Sequence, residues 1–217
     1  MSIAFLDFDG TLLRYQSGVL CAIPSIRRGL IGPRLGARLI STYLLARVGV
    51  RPRRAAQRVG FECYGGRTLE ELRALMQELH DEHLRAWLSP AMRARVEAHR
   101  ERGDRTVILT ASAFFFAEPL AREWGLDEVI GTQVGFEGGI CTGIVHGDIL
   151  DGEAKLRAAE RCAEREGVAL DGCAFYTDHV ADLPLLERVG KPCVVGPHQP
   201  LAKIARARGW PIVAHQG

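Results

Sequence analysis

Two acidic residues separated only by Phe8, Asp7 and Asp9, follow the apolar run Ile3-Ala4-Phe5-Leu6 and lead directly into Gly10-Thr11. Such a run reads as a buried strand that delivers carboxylates into a tight glycine turn. The arrangement recurs along the chain. Thr110 closes the run Thr106-Val107-Ile108-Leu109, Asp178 and Asp182 follow Cys173 to Thr177, and Lys155 stands near the start of a helix between them. In a doubly wound sheet, ligands collect outside the carboxyl ends of the strands, which is where these residues fall. Four carboxylates converging on one edge repel one another unless a cation neutralises them, and an all-oxygen donor set suits Mg²⁺. A carboxylate can also attack phosphorus while a second carboxylic acid protonates the leaving oxygen. Lys155, the Thr110 hydroxyl and turn amides would supply the positive charge and donors that a transferred phosphoryl group needs.

The elements that must hold these residues alternate. After the first strand, residues 14–88 are helical in character, with helices expected over Arg34 to Val48, Arg53 to Cys63 and Thr68 to Trp87, the last opened by the start signal Thr68-Leu69-Glu70-Glu71. A helix over Ala91 to Arg102 leads to the strand ending at Thr110. A helix from about Phe115 to Trp124, a strand near Glu128 to Gly131 and a hairpin across Val134 to Ile144 follow. Helices from Glu153, Leu183 and Leu201 then alternate with strands at Cys173 to Thr177, Pro192 to Val195 and Pro211 to Val213. Such alternation means a parallel sheet with right-handed crossovers. The fold class is therefore α/β, a doubly wound core carrying a helical insertion. Residues 1–13 and 89–217 form the α/β core, and residues 14–88 the inserted unit.

Length and composition agree with this plan. The chain has 217 residues, 47% hydrophobic and 25% charged, the mix of a folded globular protein rather than a disordered or membrane-bundle one. Its six cysteines, with no Cys-x-x-Cys pair, read as reduced packing residues. The short N-terminal run meets Asp7 too early for a signal peptide, so a cytoplasmic location is expected. The net charge of +2 hides an asymmetry, because Arg14 to Arg67 contains eleven arginines and a single acid, Glu62. Within it, Leu35, Leu39, Ile40, Tyr43 and Leu44 fall at helical spacing with Arg34, Arg38 and Ser41 on another side, an amphipathic helix with a basic face. Pro33, Arg34, Arg38 and Arg47 interrupt the apolar stretch Leu30 to Val50, so no transmembrane segment is expected.

Four stretches together resemble a known family: Asp7-Phe8-Asp9-Gly10-Thr11-Leu12, Ile108-Leu109-Thr110-Ala111-Ser112, Gly152-Glu153-Ala154-Lys155 and Tyr176-Thr177-Asp178-His179-Val180-Ala181-Asp182. In order, they look like the four motifs of the haloacid-dehalogenase superfamily, closest to its phosphoserine-phosphatase-like subclass IB. The resemblance implies a Rossmann-like core with a C1-type helical cap over residues 14–88. It implies Asp7 as nucleophile and metal ligand, Asp9 as general acid/base with its carbonyl on the metal, and Asp178 and Asp182 at the Mg²⁺ site. Thr110, Ala111, Ser112 and Lys155 would hold phosphate. Haloacid dehalogenases themselves lack an acid at the Asp9 position, so the resemblance favours a phosphatase. The substrate implied is a phosphorylated small molecule or lipid, not a nucleic acid, with peripheral membrane contact open to the basic helices. A phosphotransferase and an inactive anion-binding protein are the alternatives.

The chain departs from the phosphoserine phosphatases at Thr110-Ala111-Ser112 and at Ala181, where that family places a Ser-Gly-Gly turn and an asparagine. Phosphoserine is therefore not the expected substrate. Ser112 either donates to phosphate or caps the following helix. His80-Asp81-Glu82-His83 reads as a solvated polar face rather than a metal pair, and Phe114-Phe115-Phe116 as packing between core and cap.

Overall fold

The apolar run at the N-terminus forms strand β1 (Ile3–Leu6), buried at every position. The computed structural model describes residues 2–50, 52–196 and 199–216. Four helices follow β1: α1 (Ser17–Arg27), α2 (Pro33–Arg47), α3 (Arg53–Glu62) and α4 (Leu69–Leu79). A reciprocal capping box between Thr68 and Glu71 starts α4. The single helix expected over Thr68 to Trp87 ends early, giving way to a π turn at His80–Leu84 and a 3-10 turn at Arg85–Trp87. The two crossings into and out of this helical stretch lie side by side. The Arg14 N–H donates to the Trp87 carbonyl at 2.9 Å, and the Ser89 N–H to the Leu12 carbonyl at 2.9 Å.

Strand and helix then alternate through α5 (Pro90–Glu101), β2 (Arg105–Ala113), α6 (Phe114–Trp124) and β3 (Glu128–Thr132). After the hairpin β4 (Val134–Glu137) and β5 (Ile140–Val145) come α7 (Glu153–Arg165), β6 (Ala174–Thr177) and the single turn α8 (Leu183–Leu186). The chain closes with β7 (Lys191–Val195), α9 (Gln199–Arg208) and β8 (Ile212–Val213). Six strands form one parallel sheet in the order β3-β2-β1-β6-β7-β8. This is the doubly wound α/β fold expected from the alternation. Successive residues of β1 point to opposite faces, so Ala4 and Leu6 enter the core beneath α4 to α6 while Ile3 and Phe5 enter the core beneath α7 to α9. Strand order reverses at β1, so the crevice at the carboxyl ends of β1, β2 and β6 is the switch point.

The hairpin lies outside the main sheet. Cys141 exchanges backbone hydrogen bonds with the turn between α3 and α4, its N–H donating to the Arg67 carbonyl and its carbonyl accepting from the Gly66 N–H, both at 2.8 Å. Gly143 lies so close to α3 that a Cβ there would come within 2.9 Å of the Glu62 Cα. All six cysteines are buried and free, consistent with their reading as packing residues.

Candidate active site

At the end of β1 the sheet still holds the backbone, because the Asp7 N–H donates to the Tyr176 carbonyl at 2.9 Å. Asp7 is therefore fixed at the switch point before the chain turns. Gly10 makes the turn with φ of +79°, and an added Cβ there would lie 2.2 Å from Asp178 Oδ2. The missing side chain is what lets the Asp178 carboxylate, carried just beyond β6, close over the turn.

Lys155, in the first turn of α7, is 2% exposed, and its Nζ donates to Asp7 Oδ1 at 2.9 Å and to Asp182 Oδ2 at 2.7 Å. The Thr177 hydroxyl donates to the same Asp182 oxygen at 2.7 Å. Asp9 faces another set of partners. Its Oδ2 accepts from the Ser112 hydroxyl at 2.6 Å and its Oδ1 from the backbone N–H of Ser17, the first residue of α1. The Ser112 N–H donates to Thr110 Oγ1 at 3.0 Å, and the Ala111 carbonyl accepts from Thr132 at 2.8 Å. Ser112 does not cap α6, whose N-cap position is Ala113. Of the two readings open for Ser112, the structure removes capping.

Burial dominates the electrostatics. It pushes the Asp7 carboxyl up to about 7, aided by the Asp182 charge and opposed by Lys155. It also raises Asp178 well above the carboxylate range, with the charges of Asp7 and Asp182 adding to the effect. Burial disfavours the charged form of Lys155, but the carboxylates of Asp182 and Asp7 outweigh it and hold the ammonium in place.

The four carboxylates expected around a metal differ in how their oxygens are engaged. Asp9 and Asp182 spend oxygens on Ser112, Ser17, Thr177 and Lys155. Among the described residues no three His, Cys, Asp or Glu side chains form a ready ligand set. Asp7 keeps one oxygen beyond its bond to Lys155, Asp182 keeps Oδ1 beyond the two bonds to its Oδ2, and Asp178 makes none of these bonds. Asp178 Oδ1 is buried with no hydrogen-bond partner, a state that is costly for an acceptor unless something else satisfies it. A hard divalent cation fits these residues, because it would satisfy Asp178 Oδ1 and return both raised carboxyls to their charged form.

Three contributors were not assigned a part in the sequence. Ser17 acts through its backbone, which no side-chain pattern reports. Thr177 stood within the fourth motif but had no assigned role. Tyr64, from the helical stretch, meets Phe115 and Phe116 of α6 edge to face, with ring centroids 5.2 and 5.7 Å away. Burial, with Cys21, Cys63 and Asp9 nearby, holds its phenol well above the ordinary range. The two histidines at 80 and 83 do not act as a pair. His80 is buried against Glu123 at 2.7 Å rather than solvated, and His83 turns to Glu82 at 3.6 Å. His179 Nδ1 accepts from the Ala181 N–H at 3.1 Å.

Known proteins place this geometry in context. Residues 4–187 match the haloacid dehalogenase-like hydrolase family. Phosphoserine phosphatase SerB1 of Mycobacterium tuberculosis is 31% identical over 223 residues, covering 96% of this chain and 69% of the relative. A histidinol-phosphatase of Neisseria meningitidis is 32% identical over 149 residues, covering 66% of this chain and 67% of the relative. The crystal structure of a Bordetella pertussis protein of unknown function superposes with a TM-score of 0.87 at 28% identity, covering 99% of this chain and 98% of that one.

Proposed function

This chain belongs to the haloacid dehalogenase-like hydrolase family, and from that premise we propose that it hydrolyses phosphomonoesters through a phosphoenzyme formed on Asp7. That it is a phosphatase follows from the family and from relatives named for phosphatase activity. The observation that carries the finer reading is the buried ammonium of Lys155, clamped between Asp7 and Asp182 beneath the switch point. A cation in that position holds Asp7 in one rotamer and offers charge to the phosphoryl oxygens as they approach. Asp7 and Asp178, with Asp182 and the Asp9 carbonyl, would hold Mg²⁺, which would offset the negative charge of an incoming phosphate.

The chain's own groups then divide the work. The Asp7 oxygen not engaged by Lys155 attacks phosphorus, and the P–O bond to the leaving group breaks. Asp9 gives a proton to the leaving oxygen and afterwards takes one from the water that cleaves the Asp7–phosphate bond. Ser112 and the Ser17 N–H orient the Asp9 carboxyl for both steps. The Thr110 hydroxyl and the Ala111 amide would offer donors to phosphate from the last residues of β2, and the Ser112 amide would do so by giving up its bond to Thr110 Oγ1. The substrate is a small or lipid-linked phosphorylated metabolite. Relatives named for two different phosphomonoesters argue that the class, not the individual compound, is common to the group.

The test is release of inorganic phosphate from an aryl phosphate with and without Mg²⁺, for wild type and Asp7→Asn. Wild type should turn over only with the metal, and the nearly isosteric variant should be inactive yet folded. Turnover by Asp7→Asn near the wild-type rate sinks the proposal.

A further inference from the structure

We propose that the helical hairpin of α1 and α2 seats on an anionic lipid surface, independently of the catalytic reading above. The apolar spacing read along α2 includes Ile40 and Leu44, and both face outward. Ile40 is 45% exposed, Leu44 54% and Val48, just past the helix, 71%. The helix turns another side inward, with Thr42 in the interior and Leu35 and Leu39 half-buried, while Gly36, one turn before Ile40, lies against Ile26 of α1. Residues 40, 44 and 48 are spaced by four, so they form one outward row. Val50 in the following loop and Ile23 on α1 are also exposed, at 69% and 56%.

The charge around this surface says what covers it. Arg34 and Arg38 stand about a quarter turn further round α2, within a stretch of eleven arginines and one acid. Arg38 is committed to Glu62 at 2.6 and 2.9 Å, whereas Arg27, Arg34 and Arg58 have no ion-pair partner among the described residues. A second copy of this chain would bring two strongly basic stretches together, so like charge opposes self-association through this face. A nucleic acid would meet the arginines but leave the aliphatic row in water. An anionic bilayer answers both features, since its interface accepts aliphatic side chains and its headgroups attract arginine. No helix among the described residues is long and apolar enough to cross a membrane, so the hairpin would lie on the surface.

The test is co-sedimentation of the full chain with vesicles of phosphatidylcholine alone or mixed with phosphatidylglycerol. The anionic vesicles should bind the protein, and sodium chloride should release it, because exposed arginine contacts are screened over about 8 Å at physiological strength. Leu44→Ser with Val48→Ser should weaken partitioning about a hundredfold, roughly tenfold for each side chain kept from the interface. Arg34→Ser should weaken it about fivefold. Unfolding temperature and aryl-phosphate hydrolysis should not change in either variant, since all three side chains are exposed. Equal partitioning onto neutral vesicles, or none onto anionic ones, overturns the proposal. A wild-type dimer that Leu44→Ser with Val48→Ser converts to monomer overturns it too, by assigning the face to a second copy.

Discussion

Gly10→Ala probes the site without touching any group that carries charge. The backbone at Gly10 has φ of +79°, a region where a side chain costs about 1–2 kcal/mol. The steric demand is larger in its consequences. The new Cβ would sit 2.2 Å from Asp178 Oδ2 and 2.5 Å from its Cγ, whereas carbon and oxygen need about 3.2 Å, so Asp178 must retreat by roughly 1 Å. A displacement of that size at a reacting centre is worth about 10²-fold in rate. The expected phenotype is therefore asymmetric, with unfolding free energy lowered by about 1–2 kcal/mol and kcat/KM for an aryl phosphate lowered about a hundredfold. The Mg²⁺ concentration for half-maximal rate should rise in the same variant. Urea unfolding and a metal titration of the hydrolysis rate measure both halves. A variant destabilised as expected but within threefold of wild-type activity would show that Asp178 need not hold its place above the turn.

The pH dependence of the metal-free protein follows from Asp7. Its folded pKa of about 7 lies above the ordinary 3.8, so the folded state holds a proton that the unfolded state has released, and stability falls as pH rises from about 4 to about 7. Three units correspond to about 4 kcal/mol as an upper bound, which Asp7→Asn should remove from the slope of unfolding free energy in chelator. Identical slopes in the two proteins would contradict the buried, proton-holding Asp7. Lys155→Met leaves the carboxylates of Asp7 and Asp182 buried without their cation, so it should cost about 3–5 kcal/mol at neutral pH and less at pH 5, measured by urea unfolding. Ser112→Ala frees one oxygen of Asp9 and should lower kcat more for an alkyl phosphate than for nitrophenyl phosphate, whose leaving group needs no proton. Equal losses on the two substrates would remove Ser112 from the orientation of Asp9.

Much of the core was legible because its strands are buried on both faces. Such strands write themselves as unbroken apolar runs, and the polar residue that ends each run marks the carboxyl edge of the sheet. Asp7 and Asp178 were found in this way and stand just past β1 and β6, whereas β2, expected to end at Thr110, runs on to Ala113 through a shift in its pairing with β3. The helical stretch was less legible. Helix α1 begins at Ser17 without a side-chain cap and contains Pro24, so neither of its local signals announced it. The π turn at His80–Leu84 broke a pattern whose periodicity continued through it.

Hydrophobic spacing also has a limit that α2 makes plain. A moment gives the direction of an apolar stripe along a helix, but nothing in it says whether protein, another chain or lipid will cover that stripe. In α4 the stripe and the burial agree, with Leu72, Met76 and Leu79 inside. In α2 they part, because small residues let the helix pack elsewhere: Gly36 admits Ile26, and Thr42 satisfies its hydroxyl on the Arg38 carbonyl at 2.7 Å. The same local choice leaves Ile40 and Leu44 outside, beside the most basic part of the chain. Asp9 shows the corresponding limit for a site. Its role could be read from its place two residues after Asp7, but its position depends on Ser112 from the end of β2 and on the first amide of α1. One anchor belongs to the sheet and the other to the helical stretch. The geometry of the candidate proton donor is therefore fixed by how those two parts meet, which is a property of the folded chain and not of any motif in it.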